Sequence, residues 1–181
     1  MKKVFCMTGA SGVGKSTLMK HIHVLYQDIV VQEISARPFL PKNDSYDKTL
    51  TDELQTIISQ NQFMSILDGI LRDHFHVFSR SPIDSLAYQK VLNKARYMDS
   101  TLYRGIEITR LHIHYLYIPI EFEMKDVNDI IRGTNKDVQK KTDTEIVKLL
   151  KETEVEYTTI TGTVQERFTQ LTQILPEGED A

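Results

Sequence analysis

Gly9-Ala10-Ser11-Gly12-Val13-Gly14-Lys15-Ser16 is the stretch on which the reading of the fold turns. It has the phosphate-loop spacing: a glycine, four residues, then Gly-Lys-Ser. Glycines tolerate positive φ and let backbone N–H groups converge on an anion without a Cβ in the way. A helix starting at the lysine aims its N-terminal dipole at the same anion. Lys15 supplies a mobile charge for the β- and γ-phosphates, and the Ser16 hydroxyl is small enough to ligate Mg²⁺. The context agrees, since a short apolar strand, Lys3 to Thr8, precedes the loop and a helix over about Lys15 to Tyr26 follows it. Residues Gly9, Ala10, Ser11, Gly12, Val13, Gly14, Lys15, Ser16 and Thr17 are therefore the expected nucleoside triphosphate site, with ATP and Mg²⁺ as ligands, and Lys15 is expected on a surface loop.

Outward from the loop, strands alternate with helices. Asp28 to Ile34 is β-branched and reads as a second strand. Leu54, Ile57, Ile58, Ile66, Leu67, Ile70 and Leu71 recur at helical spacing. Phe75 to Ser79 is a third strand, and Ser81-Pro82 opens a helix with a serine cap and a proline in its first turn. His112 to Ile118 and Val155 to Thr161 read as the fourth and fifth strands. Thr142 with Glu145, and Thr163 with Glu166, have capping-box spacing, which predicts one helix over Glu145 to Lys151 and another ending near Ile174. Five strands alternating with helices call for a parallel sheet covered on both faces, an α/β/α sandwich.

The chain has 181 residues, 22 Lys+Arg against 25 Asp+Glu, a net charge of −3 and a single cysteine. That length suits one domain, assigned to residues 1–175 with an acidic tail over 176–181. The charge balance disfavours a nucleic-acid backbone as partner. One cysteine excludes an internal disulfide and any multi-cysteine zinc site. The apolar run after the initial Met-Lys-Lys is too short for a secretory signal, and no run is long enough to span a membrane, so a cytoplasmic location is expected.

Four segments in order carry a family resemblance. They are the loop at 9–16; Glu33-Ile-Ser-Ala-Arg37 after the second strand; Ser79-Arg80-Ser81-Pro-Ile-Asp84 running into Leu-Ala-Tyr88; and Asp129-Ile-Ile-Arg132. Together with the closing strand–Thr161-Gly-Thr163–helix, the chain resembles small P-loop kinases of the nicotinamide-riboside kinase and AAA-like domain group, with deoxynucleoside kinases more distant. The resemblance implies a P-loop NTPase sheet of order 2-3-1-4-5 with a helical lid near residues 126–143. It also implies an ATP-dependent transfer of the γ-phosphate to a nucleoside, nucleotide or related ribosyl molecule. Lys15, Glu33, Arg80 and Arg132 then become the catalytic candidates. Arg132 is the lid cation, and Glu33 either takes the acceptor's proton or is a solvated strand-end charge. Glu33, Arg37, Gln62, Arg80 and Asp84 are the acceptor-side candidates. Gln62 belongs to the run Gln60-Asn61-Gln62, whose carboxamides could read a base or simply face solvent. Self-association is common in such kinases.

The sequence departs from that family at Ser79, where similar kinases carry Asp or Glu. Glu33 or Asp84 could take over part of that carboxylate's work. Two other readings stay open. One keeps the chemistry with a base or end within DNA or RNA as acceptor, which DNA binding that survives 0.2 M salt would reveal. The other is a nucleotide-binding regulatory module with no acceptor pocket. The pairs His21/His23, His74/His76 and His112/His114 invite a metal reading, but strand order would separate the two strand pairs. Cys6, Tyr115 and Tyr117 read as strand core.

Overall fold

The computed structural model describes residues 4–34, 51–122 and 136–176. Arg37, Asp129, Arg132 and the tail at 177–181 lie outside the described residues. Five parallel strands run in the spatial order β2-β3-β1-β4-β5. They are β1 (Val4–Thr8), β2 (Ile29–Gln32), β3 (Phe75–Phe78), β4 (Ile113–Tyr117) and β5 (Tyr157–Thr159). The order agrees with the expected P-loop sheet, and it separates His76 on β3 from His114 on β4 by the width of β1.

β1 is central and buried along its whole length. Its alternate side chains feed two cores. Val4 and Cys6 join Ile66, Phe78, Leu86, Ile106, Tyr115 and Leu149 on one face. Phe5 and Met7 join Leu18, Ile22, Val77, Leu116 and Leu171 on the other. The second face is covered by α1 (Lys15–Leu25) and α6 (Val164–Ile174). The first is covered by α2 (Asp52–Leu71), α3 (Pro82–Leu92), α4 (Asp99–Thr109) and α5 (Lys136–Glu152).

Two of the expected caps form. Ser81 and Asp84 make a full capping box at α3 with Pro82 in the first turn, and Thr163 with Glu166 does the same at α6. The third expectation is corrected. Thr142 caps nothing; it is fully buried inside α5, which starts at Lys136 instead of Glu145. Gln139, Thr142, Ile146, Leu149 and Leu150 form one buried stripe, and packing of α5 on α3 extends the helix past the local capping signal. Residues 136–143 of the expected lid are thus helical.

Helix α4 was not expected. Its buried residues Leu102, Gly105, Ile106 and Thr109 follow helical spacing, but Gly105 in mid-helix argues against a helix locally. The glycine is needed for close packing: a Cβ there would stand 2.8 Å from the Phe63 ring of α2. Among the described residues no helix is long and apolar enough to cross a membrane.

Candidate active site

The loop between β1 and α1 leaves the carboxyl edge of the sheet, where open α/β sheets bind ligands. Gly9 passes so close to β4 that a Cβ would lie 2.4 Å from the Ile118 carbonyl oxygen. Gly12 and Gly14 take φ of 83° and 99°, a region that favours glycine. Gly14 is the N-cap of α1 and no side chain caps the helix, so no capping side chain competes with an anion for the start of the helix.

Lys15, expected at the surface, is 8 % exposed. Its ammonium group folds back into its own loop, donating to the Gly9 carbonyl and, at 2.8 Å, to the Ala10 carbonyl. The reason is the charge: a buried ammonium group needs hydrogen-bond acceptors, and the carbonyl oxygens that line the loop are within its reach.

Four side chains from distant parts of the chain hold the loop in place. Asp84 Oδ1 accepts from Gly9 N at 3.0 Å, and Asp84 Oδ2 accepts from Ser81 N and Ser81 Oγ, each at 2.7 Å. Thr8 Oγ1 in turn donates to Ser81 Oγ at 2.7 Å. The Tyr88 hydroxyl accepts from Ser11 N at 3.0 Å, and Gln139 Nε2 donates to Ser11 O at 2.6 Å. Arg167 Nη1 donates to Val13 O at 2.6 Å. Tyr88 is held above its usual pKa by burial, so its hydroxyl keeps its proton and its oxygen serves as a neutral acceptor. These straps engage Gly9, Ser11 and Val13 and are separate from the amides at the start of α1.

The four described acceptor-side candidates fall in different places. Glu33 lies beside the loop: Ser16 Oγ donates to its Oε1 at 3.0 Å. Arg80, at the end of β3, has its guanidinium 5.6 Å from the Tyr88 ring centroid, on the same tyrosine that holds Ser11. Asp84 is fully buried with both oxygens engaged by the loop and the α3 cap, which makes it a latch on the loop. Gln62 lies apart on α2, 1 % exposed, where its Oε1 accepts from Ser85 Oγ of α3. Its neighbours Gln60 and Asn61 are exposed.

Ser79 does not act as a charge. Its hydroxyl accepts from Ile34 N at 2.8 Å and its own N–H donates to Gln32 O at 3.1 Å. It ties the end of β3 to the end of β2, the segment that carries Glu33. The small residue therefore accompanies a carboxylate supplied from the neighbouring strand.

Several site residues were not singled out from the sequence: Gln139, Asp143, Glu121 and Arg167. Asp143 on α5 accepts from the Tyr117 hydroxyl at 3.1 Å. Burial pushes its carboxyl up, while the Tyr117 hydrogen bond and the nearby Lys15 charge pull it partly back. Arg167, 3 % exposed, also donates to Glu121 Oε2 at 2.6 Å, and this bond holds the Glu121 carboxyl below its usual range. Arginine in the first turns of a surface helix carries no local sign that it is buried, and only the spatial neighbours reveal it.

The arrangement offers a polyphosphate cradle, a hydroxyl–carboxylate pair beside it and a cation on an adjacent strand. Ser16 and Glu33 are hard oxygen donors, and a site of one or two such ligands completed by phosphate and water is the kind that Mg²⁺ prefers.

The chain matches the family model described as AAA domain over residues 4–167. No curated protein sequence matches it. Among solved structures it is similar to a thymidylate kinase from Candida albicans, at 14 % identity and a TM-score of 0.68, covering 96 % of this chain and 90 % of that one. It is also similar to the NadR protein in complex with NR, at 15 % identity and 0.73, covering 96 % of this chain but 50 % of that one. A deoxyadenosine kinase from M. mycoides, solved with dCMP and dCDP, aligns at 12 % identity and 0.67, covering 94 % and 97 %. At these identities the likeness establishes the fold.

Proposed function

The chain belongs to the AAA-domain family, and on that premise we propose that it is a phosphotransferase moving the γ-phosphate of ATP to a hydroxyl of a nucleoside, nucleotide or related ribosyl compound. The observation that supports this most is the 3.0 Å bond from Ser16 Oγ to Glu33 Oε1. It sets a strand-end carboxylate beside the hydroxyl that would ligate magnesium. The fold neighbours that bind or phosphorylate such compounds, by their names, support the acceptor class.

Each residue then has a physical task. Phosphate oxygens replace the Gly9 and Ala10 carbonyls as partners of Lys15, so the ammonium moves from its own loop onto the β- and γ-phosphates. Ser16, with the Glu33 carboxylate beside it, would hold magnesium, which would supply neutralisation of the phosphoryl charge. The acceptor hydroxyl oxygen forms a bond to the γ-phosphorus as the bond to the ADP oxygen breaks, and the hydroxyl proton passes to the Glu33 carboxylate. Arg80 faces the transferring group from β3, and Arg132 and Arg37 are assigned to the lid and acceptor sides. Gln62 is assigned to the acceptor. It shares a buried polar cluster with Ser59, Ser85 and Gln89, in which Gln62 Nε2 and Gln89 Oε1 have no hydrogen-bond partner. Both atoms are buried from solvent, so the cluster bears on the acceptor through the packing of α2 against α3.

Incubating the protein with Mg-ATP and a panel of nucleosides, nucleotides and ribosyl compounds tests the reading. ADP release together with a phosphorylated product is expected for at least one panel member. ADP binding without any product across the panel would rule out the transferase reading and favour a regulatory module. Glu33→Gln should depress turnover far more than ATP affinity, and unchanged turnover would remove Glu33 as the base.

A further inference from the structure

Phe122 follows β4 and is 55 % exposed, the most exposed phenylalanine among the described residues. One face of the ring is covered: the Arg167 guanidinium lies 5.3 Å from its centroid. That guanidinium is also the strap on Val13 O, and it lies 3.6 Å from where a Cβ on Gly14 would stand. The ring is therefore tied, through one buried cation, to the back of the phosphate loop. Glu121 draws in a second wall, accepting from Arg167 and, at 2.7 Å, from Gly162 N in the turn between β5 and α6.

That turn has spent its donors. Thr161 N donates to Gln170 Oε1, Gly162 N to Glu121 Oε2 and Thr163 N to Glu166 Oε2. The Thr161 carbonyl also accepts from Gln170 Nε2 at 2.8 Å. A base beside the loop would find an aromatic face and a polarising cation behind it, but no free backbone N–H on this turn to read its edge.

We propose that Phe122 is the stacking platform for the base of the phosphate donor, and that the donor is held here by its π-face, so that different purine triphosphates are accepted alike. This rests on the reading that the loop binds a nucleoside triphosphate. Aromatic–base stacking tolerates any base because every base has a π-face, and truncating the ring to alanine costs roughly 5- to 150-fold in affinity. The guanidinium on the far side adds a cation–π contact that fixes the ring's orientation.

Titration of the wild-type chain and of Phe122→Ala with Mg-ADP, Mg-GDP and Mg-tripolyphosphate tests the proposal. Wild type should bind ADP and GDP within about tenfold of each other. The variant should lose about 5- to 150-fold for both while keeping its affinity for tripolyphosphate. Equal ADP affinity in variant and wild type would overturn the platform. Strong discrimination between ADP and GDP by wild type would overturn stacking as the basis of donor choice. Wild type that binds none of the three would instead sink the triphosphate reading. The chain has no tryptophan, so Phe122→Trp provides a second measurement. Its emission should change on adding ADP and stay constant on adding tripolyphosphate, and no change with saturating ADP would overturn the proposal even if the alanine variant misfolds.

Discussion

The phosphate-loop side and the α2–α3 side of this molecule handle buried polar groups in opposite ways. Around the loop, Asp84, Tyr88, Gln139 and Arg167 all meet backbone groups of residues 9–13. Between α2 and α3, Gln55, Ser59, Gln62, Ser85 and Gln89 mainly meet one another, and two of their polar atoms remain open. The first region is scaffolding that fixes one loop shape, as the proposed polyphosphate ligand would require, and among these four side chains Arg167 Nε lacks a partner. The second keeps unspent hydrogen-bonding capacity inside the packed α2–α3 seam, behind the proposed acceptor side. Satisfied networks rigidify, and unsatisfied ones cost stability and are retained where something else benefits.

The largest effect should come from Lys15→Ala. It removes the one loop cation that can follow charge onto the phosphates, and kcat should fall by about 10²–10³-fold. Thermal unfolding should shift less than activity: the Gly9 and Ala10 carbonyls it leaves are buried, but the substitution also relieves the cost of burying an ammonium group. A stability loss in proportion to the activity loss would mean that Lys15 is a structural strap like the others. Asp84→Ala tests the scaffold itself. It deletes the acceptor for Gly9 N and half of the α3 capping box, and should cost about 2–4 kcal/mol in urea unfolding. A cost near zero would show that the loop holds its shape without straps.

Ser85→Ala tests the other side. Alone it strands the Gln62 carbonyl oxygen and should cost about 1–3 kcal/mol, whereas the pair Ser85→Ala/Gln62→Leu should recover most of that loss. The pair should also raise KM for the acceptor and leave ATP binding unchanged. An unchanged acceptor KM would make the cluster mere packing and erase the contrast between the two regions.

The smallest effect concerns Asp143. Its carboxyl is raised above 3.8 in the folded chain, mainly by burial. The folded state therefore holds this proton more tightly than the unfolded state, and the group's contribution falls as pH rises through its folded pKa. Asp143→Asn should raise the melting temperature slightly at pH 7, and the difference should close as the pH is lowered to about 4 and the wild-type carboxyl protonates. A variant less stable than wild type at pH 7 would contradict the desolvation argument.

Much of the fold was legible because its signals are local. Strand runs such as Val4–Thr8 and Ile113–Tyr117 are read from neighbouring residues, and so are the caps at Ser81 and Thr163. Where local and tertiary signals conflicted, tertiary packing won. The Thr142 cap yielded to the buried stripe of α5, and Gly105 entered a helix because the Phe63 ring needed the space. The candidate site divides in the same way. Glycine spacing announces the cradle, but the buried position of Lys15 and the latch role of Asp84 depend on partners the spacing does not name.

The sequence by itself determined that a phosphate loop joins a strand to a helix, because backbone N–H geometry depends on which residues lack a Cβ within nine consecutive positions. Only the tertiary structure decided which side chains hold that loop and which carboxylate stands beside it. Asp84 reaches Gly9 across 75 positions, Gln139 reaches Ser11 across 128 and Arg167 reaches Val13 across 154. Such contacts are made by strand order and helix packing, and the residues that make them carry no local mark of their partner.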